Sequence, residues 1–308
     1  DVTDHINADL GNAGMVASAV WSDFNGDDWP DLIVAGEWMP VRVFINDKGK
    51  LVELSSTGLS SSNGWWSTIT EADVDGDGDP DFLLGNAGTN LQFKASPSRP
   101  VQLFAGDFND DRVIDPIICY PIGDQNYPLA TRDELLDQIA PMRKKFTTYE
   151  SYSSATIKEI LTPEQLDKSY KFEAYVLESA WLENINGKSL KMHVLPKMAQ
   201  LSSVNAFVPL PESAGKSSFI AAGNFYGFKP QLGRSDASCG VILNFRDGSL
   251  NADESVISNA WLSGDIRDVA LLHFKDCVRL VVSRNNDTPS VFAFHTLTSE
   301  VYPRQASK

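Results

Sequence analysis

Three segments of the sequence carry oxygen-bearing side chains at one shared spacing. In each segment Asp occupies the first, fifth and ninth positions, Asp or Asn occupies the third, and the seventh residue can offer its backbone carbonyl. In chain order these residues are Asp23, Asn25, Asp27, Trp29 and Asp31; Asp73, Asp75, Asp77, Asp79 and Asp81; and Asp107, Asn109, Asp111, Val113 and Asp115. Oxygen-only ligands in this number suit Ca²⁺, a hard cation that accepts about six to eight oxygens. We therefore expect up to three calcium sites, and we name these segments the first, second and third acidic loops.

Electrostatic repulsion within each loop also argues for a cation. Two carboxylates about 4 Å apart repel by roughly 1 kcal/mol in water and by about 4 kcal/mol at an effective dielectric constant near 20. Several converging carboxylates therefore need a positive partner. Mg²⁺ fits less well, because it prefers octahedral geometry and retains several of its waters.

The fourth position of each loop indicates how the chain curls around the ion. Gly26 and Gly76 occupy it in the first two loops, and Asp110 occupies it in the third. We expect positive φ at all three positions, since glycine adopts such angles freely and Asp is one of the few other residue types that tolerates them.

The EF-hand is the obvious competing interpretation, because it also begins D-x-D-x-D-G. It requires a bidentate Glu at the twelfth position and flanking helices. The twelfth residues here are Val34, Leu84 and Ile118, which lie in apolar runs typical of strands. This excludes the EF-hand.

Short apolar runs flank the loops and repeat along the chain. "GMVASAVW" and "VQLFAG" precede the first and third loops, and "VRVFIN" and "KLVEL" follow the first unit's loop and second strand. Four short strands per unit predict an all-β fold, a β-propeller of about five four-stranded blades, closed alone or as part of a larger seven-bladed ring. The expected units are roughly 14–60, 61–98, 99–198, 199–260 and 261–296, within one domain spanning 1–308.

The third unit is too long for four strands, and its excess has a helical pattern. Thr131 to Glu134 and Thr162 to Gln165 fit capping boxes, so we expect a small α-helical insertion at 131–178 within the third blade. "SAWLENINGKSLKMHVLP" then returns to paired strands with a turn at Asn186 and Gly187. Two roles stay open for the insertion: a partner-binding element, or a lid that covers a blade edge or the propeller end.

The repeated loops resemble those of the FG-GAP or VCBS repeat family, whose integrin-α-like propellers carry D-x-D-x-D-G-x-x-D calcium loops between the first two strands of a blade. "GWW", "TRDELLDQI" and "GRSDASCGVIL" further resemble the bacterial ASPIC/UnbV or CRTAC-like surface proteins. The resemblance implies export and a binding or scaffolding role, and it implies no reaction. The opening "DVT" looks like the tail of one repeat, so we expect this chain to be part of a longer exported protein.

Composition narrows the classes of partner and the location. The formal net charge of −15 argues against nucleic acid, since such binding depends on Lys and Arg that neutralise phosphates. The sequence has no apolar run near the roughly 20 residues that cross a bilayer, so we expect no transmembrane segment. Its start lacks a signal peptide, which fits either a cytosolic protein or one whose leader was removed. Oxygen ligands on surface loops suit millimolar external Ca²⁺, which favours a periplasmic, outer-membrane-associated or extracellular location.

Catalytic signatures are missing from the sequence. It contains no G-x-S-x-G, P-loop or H-E-x-x-H motif, and His193 and His273 lie in apolar strand contexts typical of packed histidines. We therefore expect a non-catalytic module that binds a protein or a glycan. The alternative is a carbohydrate-active enzyme or lectin-like module on the same scaffold. Trp65 and Trp66 are the candidate ligand-binding residues, although strand alternation lets only one of them face any one side.

Overall fold

Antiparallel strands make up most of the regular structure of this chain. A computed structural model describes residues 2–211, 217–229, 232–253, 262–275, 277–294 and 304–305. In chain order the strands are β1 (Met15–Ser22), β2 (Asp31–Met39), β3 (Arg42–Asp47), β4 (Lys50–Glu53), β5 (Gly64–Trp65), β6 (Thr68–Ala72), β7 (Asp81–Gly85), β8 (Val101–Gly106), β9 (Asp115–Ile122), β10 (Gln125–Pro128), β11 (Tyr170–Ala174), β12 (Ala180–Ile185), β13 (Ser189–Val194), β14 (Val204–Pro209), β15 (Ser218–Gly223), β16 (Val241–Arg246), β17 (Ser249–Ala252), β18 (Ile266–His273), β19 (Val278–Arg284), β20 (Ser290–Phe294) and β21 (Arg304–Gln305). The prediction of an all-β chain is confirmed.

The helices are short and fall mainly in one segment. They are α1 (Thr3–Ile6), α2 (Arg132–Gln138), α3 (Tyr149–Ser153), α4 (Ile157–Ile160) and α5 (Pro163–Lys168), with 3-10 turns at Ala8–Asn12, Ala140–Lys144 and Lys197–Gln200. The predicted capping boxes at Thr131 with Glu134 and at Thr162 with Gln165 are both formed. Within the described residues, every helix is too short or too polar to cross a membrane.

In the described residues the strands form five sheets. The first sheet runs β1-β2-β3-β4 with β5 paired to β2, and the second runs β6-β7-β12-β13. The third runs β10-β9-β8-β11, the fourth β14-β15-β16-β17 and the fifth β18-β19-β20-β21. We refer to the sheets by these ordinal numbers below.

The second sheet corrects the expected unit boundaries. The hairpin at 180–194, which we expected to close the third unit, pairs instead with β7, in the register Leu182↔Phe82 and Ala180↔Leu84. The whole third sheet is therefore inserted in the chain between β7 and β12. The pairing is driven by burial, because β7 and the start of β12 are continuous apolar runs that are buried throughout. Local sequence could not show this, since the two strands are remote in the chain.

One feature expected between 131 and 194 is placed differently by the structure, and another is confirmed. The helices lie between β10 and β11 of the third sheet, as predicted, but residues 170–174 inside the expected helical range form β11, paired to β8. The turn between β12 and β13 has φ of 53° at Asn186 and 66° at Gly187, which confirms the predicted Asn-Gly hairpin.

Four of the sheets pack in series through alternating side chains. Phe82 and Leu84 of β7 face a core shared with the first sheet, whereas Leu83 faces a core shared with the fourth. Ile220 and Ala222 of β15 then face a core shared with the fifth sheet. Because side chains alternate along a strand, one strand supplies both interfaces.

The third sheet lies outside this series and has its own two contacts. One of its faces, including Phe104 and Ile117, packs against helix residues such as Leu135 and Ile160. The other face contributes Val101 and Ala174 to a cluster with Trp38 of the first sheet. The residues between β10 and β11 thus cover one face of the third sheet.

Candidate metal sites

All three acidic loops lie in the hairpin between two neighbouring strands. The first connects β1 to β2, the second β6 to β7 and the third β8 to β9. The ninth residue of each loop, Asp31, Asp81 or Asp115, is also the first residue of the following strand. The sheets therefore fix both ends of each loop.

The first aspartate of each loop accepts hydrogen bonds from backbone N–H groups further along the same loop. Asp23 accepts from the N–H groups of Asp27 at 2.9 Å and Asp28 at 3.0 Å. Asp73 accepts from Gly76 at 2.7 Å and Gly78 at 3.2 Å. These bonds curl the chain between the first and sixth residues of each loop.

The third loop repeats this arrangement. Asp107 accepts from the N–H groups of Asp111 at 3.1 Å and Arg112 at 2.8 Å. Asn109 accepts from Asp111 at 3.0 Å, as Asn25 accepts from Asp27 at 3.1 Å in the first loop. The three predicted segments therefore share one backbone conformation.

Positive φ angles accompany this curl. The angle is 73° at Gly26, 83° at Gly76 and 63° at Asp110, which confirms the prediction for the fourth position. The sixth position is also left-handed, with φ of 68° at Asp28 and 68° at Arg112. We did not foresee the sixth position, although Gly78 in the second loop was a signal for it.

The ninth aspartate is the buried ligand candidate of each loop. Asp31, Asp81 and Asp115 are all buried. Asp81 accepts from the N–H of Val74 at 3.0 Å and of Asn184 at 2.8 Å. Backbone N–H groups thus hold each of these carboxylates in a fixed orientation.

Asn46 and Asn184 are site-supporting residues that the sequence analysis missed. The N–H of Asn46 donates to Asp31 at 2.7 Å, as that of Asn184 donates to Asp81. Both residues lie near the end of the strand that pairs with the loop's second strand. Asn near the end of that strand was the available signal, in "FINDKG" and "LENING".

The second loop gathers its carboxylates most closely. Asp73, Asp75 and Asp81 each place an oxygen within 4.8 Å of the others. Among the described residues, this is the one group of three potential metal-ligating side chains brought this close together. The side chain of Asp79, expected to contribute its carbonyl, has a buried Oδ1 without a hydrogen-bond partner in the described part of the chain.

This crowding changes the proton affinity of the second loop. Burial, with a smaller contribution from the Asp75 and Asp79 carboxylates, raises the pKa of Asp81 to about 7, although two backbone N–H donors lower it. Burial, followed by the neighbouring Asp77, raises the pKa of Asp79 to about 6. Burial also raises the pKa of Asp75. The loop is thus unfavourable as a set of bare carboxylates, which a divalent cation would relieve.

The first and third loops have an uncharged Asn at their third position, and the pKa shifts of their aspartates are smaller. Burial raises the pKa of Asp31 and of Asp115. At Asp107, desolvation raises the pKa, but the N–H groups of Arg112, Asp111 and their neighbours outweigh it and lower the pKa. Asp107 therefore stays deprotonated to lower pH than Asp81.

The donor set fits Ca²⁺ in all three loops. Every predicted ligand supplies oxygen, from carboxylates, from the amides of Asn25 and Asn109, or from a seventh-position carbonyl. Ca²⁺ accepts such mixed oxygen ligands in flexible geometry. In the second loop, oxygens of Asp73, Asp75 and Asp81 lie within 4.8 Å of one another, which fits such a cation.

Trp65 and Trp66 do not form an exposed pair. Trp66 is 0% exposed, and its Nε1 donates to the Ser62 carbonyl at 2.8 Å, so it is a core residue. Trp65 is partly buried, with its ring centroid 5.3 Å from that of Trp38 and 5.9 Å from that of Phe93. Trp65 therefore packs where the third sheet meets the first, which leaves little of it to contact a ligand.

His193 behaves as a packed histidine. Its ring stacks on Trp181 with centroids 4.5 Å apart, and its Nε2 lies 2.6 Å from Glu183 Oε2. No nucleophilic side chain joins this pair in the contacts of the described residues.

Comparison with known families identifies one repeat type. The family model described as the FG-GAP-like repeat matches residues 23–84, which span the first two acidic loops and the strands between them. The search of curated proteins returned no match to this chain.

Proposed function

FG-GAP-like repeats occupy residues 23–84 of this chain, and from that premise we propose that it is a calcium-binding β-propeller module of an exported or cell-surface protein. The module has no catalytic activity of its own and binds a protein or glycan partner. Up to three Ca²⁺ ions occupy the three acidic loops.

The second acidic loop carries the calcium proposal. Three carboxylates with oxygens within 4.8 Å of one another need a positive charge at their centre. Burial raises the pKa of Asp81 to about 7, so the metal-free protein must hold a proton or bear the repulsion. A cation removes both costs.

The serial packing of sheets supports the propeller proposal. The first, second, fourth and fifth sheets meet face to face through successive apolar cores. The acidic loops lie between the first two strands of three of the sheets, as the family resemblance implies. The third sheet, inserted in the chain between β7 and β12, then lies beside the series and packs against the first sheet.

Location follows from the same reasoning. Surface loops built from oxygen ligands suit the millimolar Ca²⁺ outside the cytosol, and the family resemblance implies export. We therefore propose a periplasmic, outer-membrane-associated or extracellular protein.

The second candidate is a carbohydrate-active enzyme or lectin-like module on the same scaffold. Tyr170 is 68% exposed and Phe172 is 36% exposed, and both lie on the same face of the edge strand β11. Exposed aromatic rings can stack on the apolar faces of sugars. A glycan array combined with a reducing-sugar assay separates the two roles: binding without sugar release supports a lectin, and sugar release supports an enzyme.

Thermal unfolding tests calcium binding directly. At neutral pH we expect millimolar Ca²⁺ to raise the melting temperature above that in EGTA, since a site at 100 times its Kd adds about 2.7 kcal/mol. Mg²⁺ at the same concentration is the control and should give a smaller rise. Equal melting temperatures in Ca²⁺ and EGTA would overturn the proposal.

A further inference from the structure

The second residue of every acidic loop is apolar and buried against a neighbouring element. Phe24 of the first loop joins a core with Leu182 of the second sheet. Val74 of the second loop joins a core with Leu243 of the fourth sheet. Each of these two loops is therefore attached to the sheet that follows its own in the series.

For the third loop, helices take the place of the next sheet. Phe108 joins a core with Leu135 and Ile139 of the helical segment, which we define as residues 131–169. The carbonyl of Phe108 accepts from Gln165 Nε2 at 3.1 Å, just as that of Phe24 accepts from Asn184 Nδ2 at 2.9 Å. The helical segment thus copies the contact that a neighbouring sheet makes elsewhere.

Helix α2 also touches the predicted ligands of the third loop. Asn109 Nδ2 donates to the backbone carbonyl of Gln138 at 3.1 Å. Gln138 Nε2 donates to the Pro116 carbonyl at 3.2 Å, and the Gln138 side chain also contacts the Asp115 carboxylate. Asn109 and Asp115 are therefore oriented in part by the helical segment.

We propose that a cation bound in the third acidic loop fastens the helical segment onto the third sheet, so that docking of this segment depends on Ca²⁺. This inference rests on the proposed calcium binding. If the helices detach, Asn109 and Asp115 lose the contacts that orient them and the site weakens. By linkage, a cation that binds the docked state more tightly must oppose detachment.

The first and second loops should differ from the third in their effect on the helical segment. Phe24 and Val74, the buried second residues of these loops, pack against sheets. Among the described contacts, the helical segment makes none with either loop. Ca²⁺ in those loops should stabilise the sheets and leave the helices unaffected. The coupling is therefore specific to the third site.

Hydrogen exchange of the full chain, measured by mass spectrometry with and without Ca²⁺, tests the proposal. Some amides of α2 and α5 exchange only when the helical segment detaches. At a Ca²⁺ concentration ten times the Kd of the third site, the exchange of these amides should slow about tenfold. Asp107→Asn, in an exposed part of the loop, should abolish this slowing. Asp73→Asn is the matched control and should retain it.

A second variant tests the contact and leaves every ligand in place. Gln138→Met keeps a long side chain at the end of α2 but cannot donate to Pro116. We expect calorimetry to show the same number of Ca²⁺ sites as in the unaltered chain, with a reduced Ca²⁺ effect on helix exchange.

The possible outcomes distinguish failure of the coupling from failure of the proposed calcium binding. Calcium binding with unchanged exchange of α2 and α5 overturns the coupling and leaves the calcium sites standing. Slowing that persists in Asp107→Asn but disappears in Asp73→Asn assigns the effect to the second loop and also overturns it. If calorimetry detects no binding at all, both proposals fail.

Discussion

Asn184 joins the first two acidic loops, one through its side chain and the other through its backbone N–H. Its Nδ2 donates to the Phe24 carbonyl of the first loop at 2.9 Å, and its backbone N–H donates to Asp81 Oδ1 of the second loop at 2.8 Å. Its Oδ1 accepts from the N–H of Gly187 at 2.9 Å. One residue of β12 thus holds a candidate ligand of its own sheet and the backbone of the neighbouring loop.

Replacing the Asn184 side chain should therefore loosen the first acidic loop and the turn between β12 and β13. Asn184→Ala leaves the Phe24 carbonyl and the Gly187 N–H without these partners, and burying such groups unpaired costs about 1–3 kcal/mol. Urea denaturation should show this loss in the free energy of unfolding. Asn46→Ala is the matched control, because its Nδ2 donates to Pro30 at an exposed position within its own sheet. An equal loss in the two variants would contradict a special role for Asn184.

Asp75→Asn should have opposite effects with and without Ca²⁺. Asn25 and Asn109 show that Asn fits this third position and keeps the backbone contact. Without metal, the substitution removes repulsion from Asp73 and Asp77, so stability should stay level or rise by about 0.5–1 kcal/mol. With Ca²⁺, the lost ligand charge should weaken the second site about tenfold or more.

Calorimetry and thermal unfolding in both conditions check this sign change. The reciprocal variant, Asn25→Asp, should strengthen the first site. If Asp75→Asn were destabilising by the same amount in both conditions, its role would be structural and unrelated to a cation.

Stability of the metal-stripped protein should fall as pH rises from about 4 to about 7. Burial raises the folded-state pKa of Asp81 to about 7, whereas an unfolded Asp titrates near about 3.9. Between these two pKa values the folded state holds a proton that the unfolded state has lost. The stabilisation that this proton provides is therefore complete below the unfolded pKa and is lost as pH rises through the folded pKa.

Calcium should counter this trend, because it replaces the proton as the partner of Asp81. We expect Ca²⁺ affinity of the second loop to increase from pH 5 to about 7 and then level off, as proton competition ends. Melting temperatures of stripped and loaded protein across this range provide the measurement. A stripped protein whose stability rises steadily from pH 5 to pH 8 would contradict the raised pKa.

Gly85→Ala should weaken the packing of the second sheet against the fourth. A Cβ at Gly85 would lie 2.0 Å from the backbone oxygen of Val204, which cannot move without shifting β14. We expect a loss of about 1–3 kcal/mol through overpacking, measured by urea denaturation. Gly11→Ala, where a Cβ meets nothing within 4 Å, is the control and should be near neutral.

Local patterns predicted much of the site. Ligand positions, the curl at Gly26, Gly76 and Asp110, and the strands around each loop depend on neighbours within a few residues, where residue type and spacing are informative. The capping boxes that start α2 and α5 belong to the same class. These features need no knowledge of the rest of the chain.

Tertiary structure decided which remote elements meet. Local sequence could not place β12 beside β7, because both are apolar runs that would pair with many partners and the choice depends on the shared cores. It could not show that Asn184 supports Asp81, that Trp65 packs against Trp38, or that Gln165 and Gln138 reach the third loop. The sequence by itself determined the spacing of the oxygen-bearing side chains and the strands on either side of each loop, since both are set over a short range. Only the tertiary structure decided what anchors each loop, since burial depends on contacts between segments far apart in the chain.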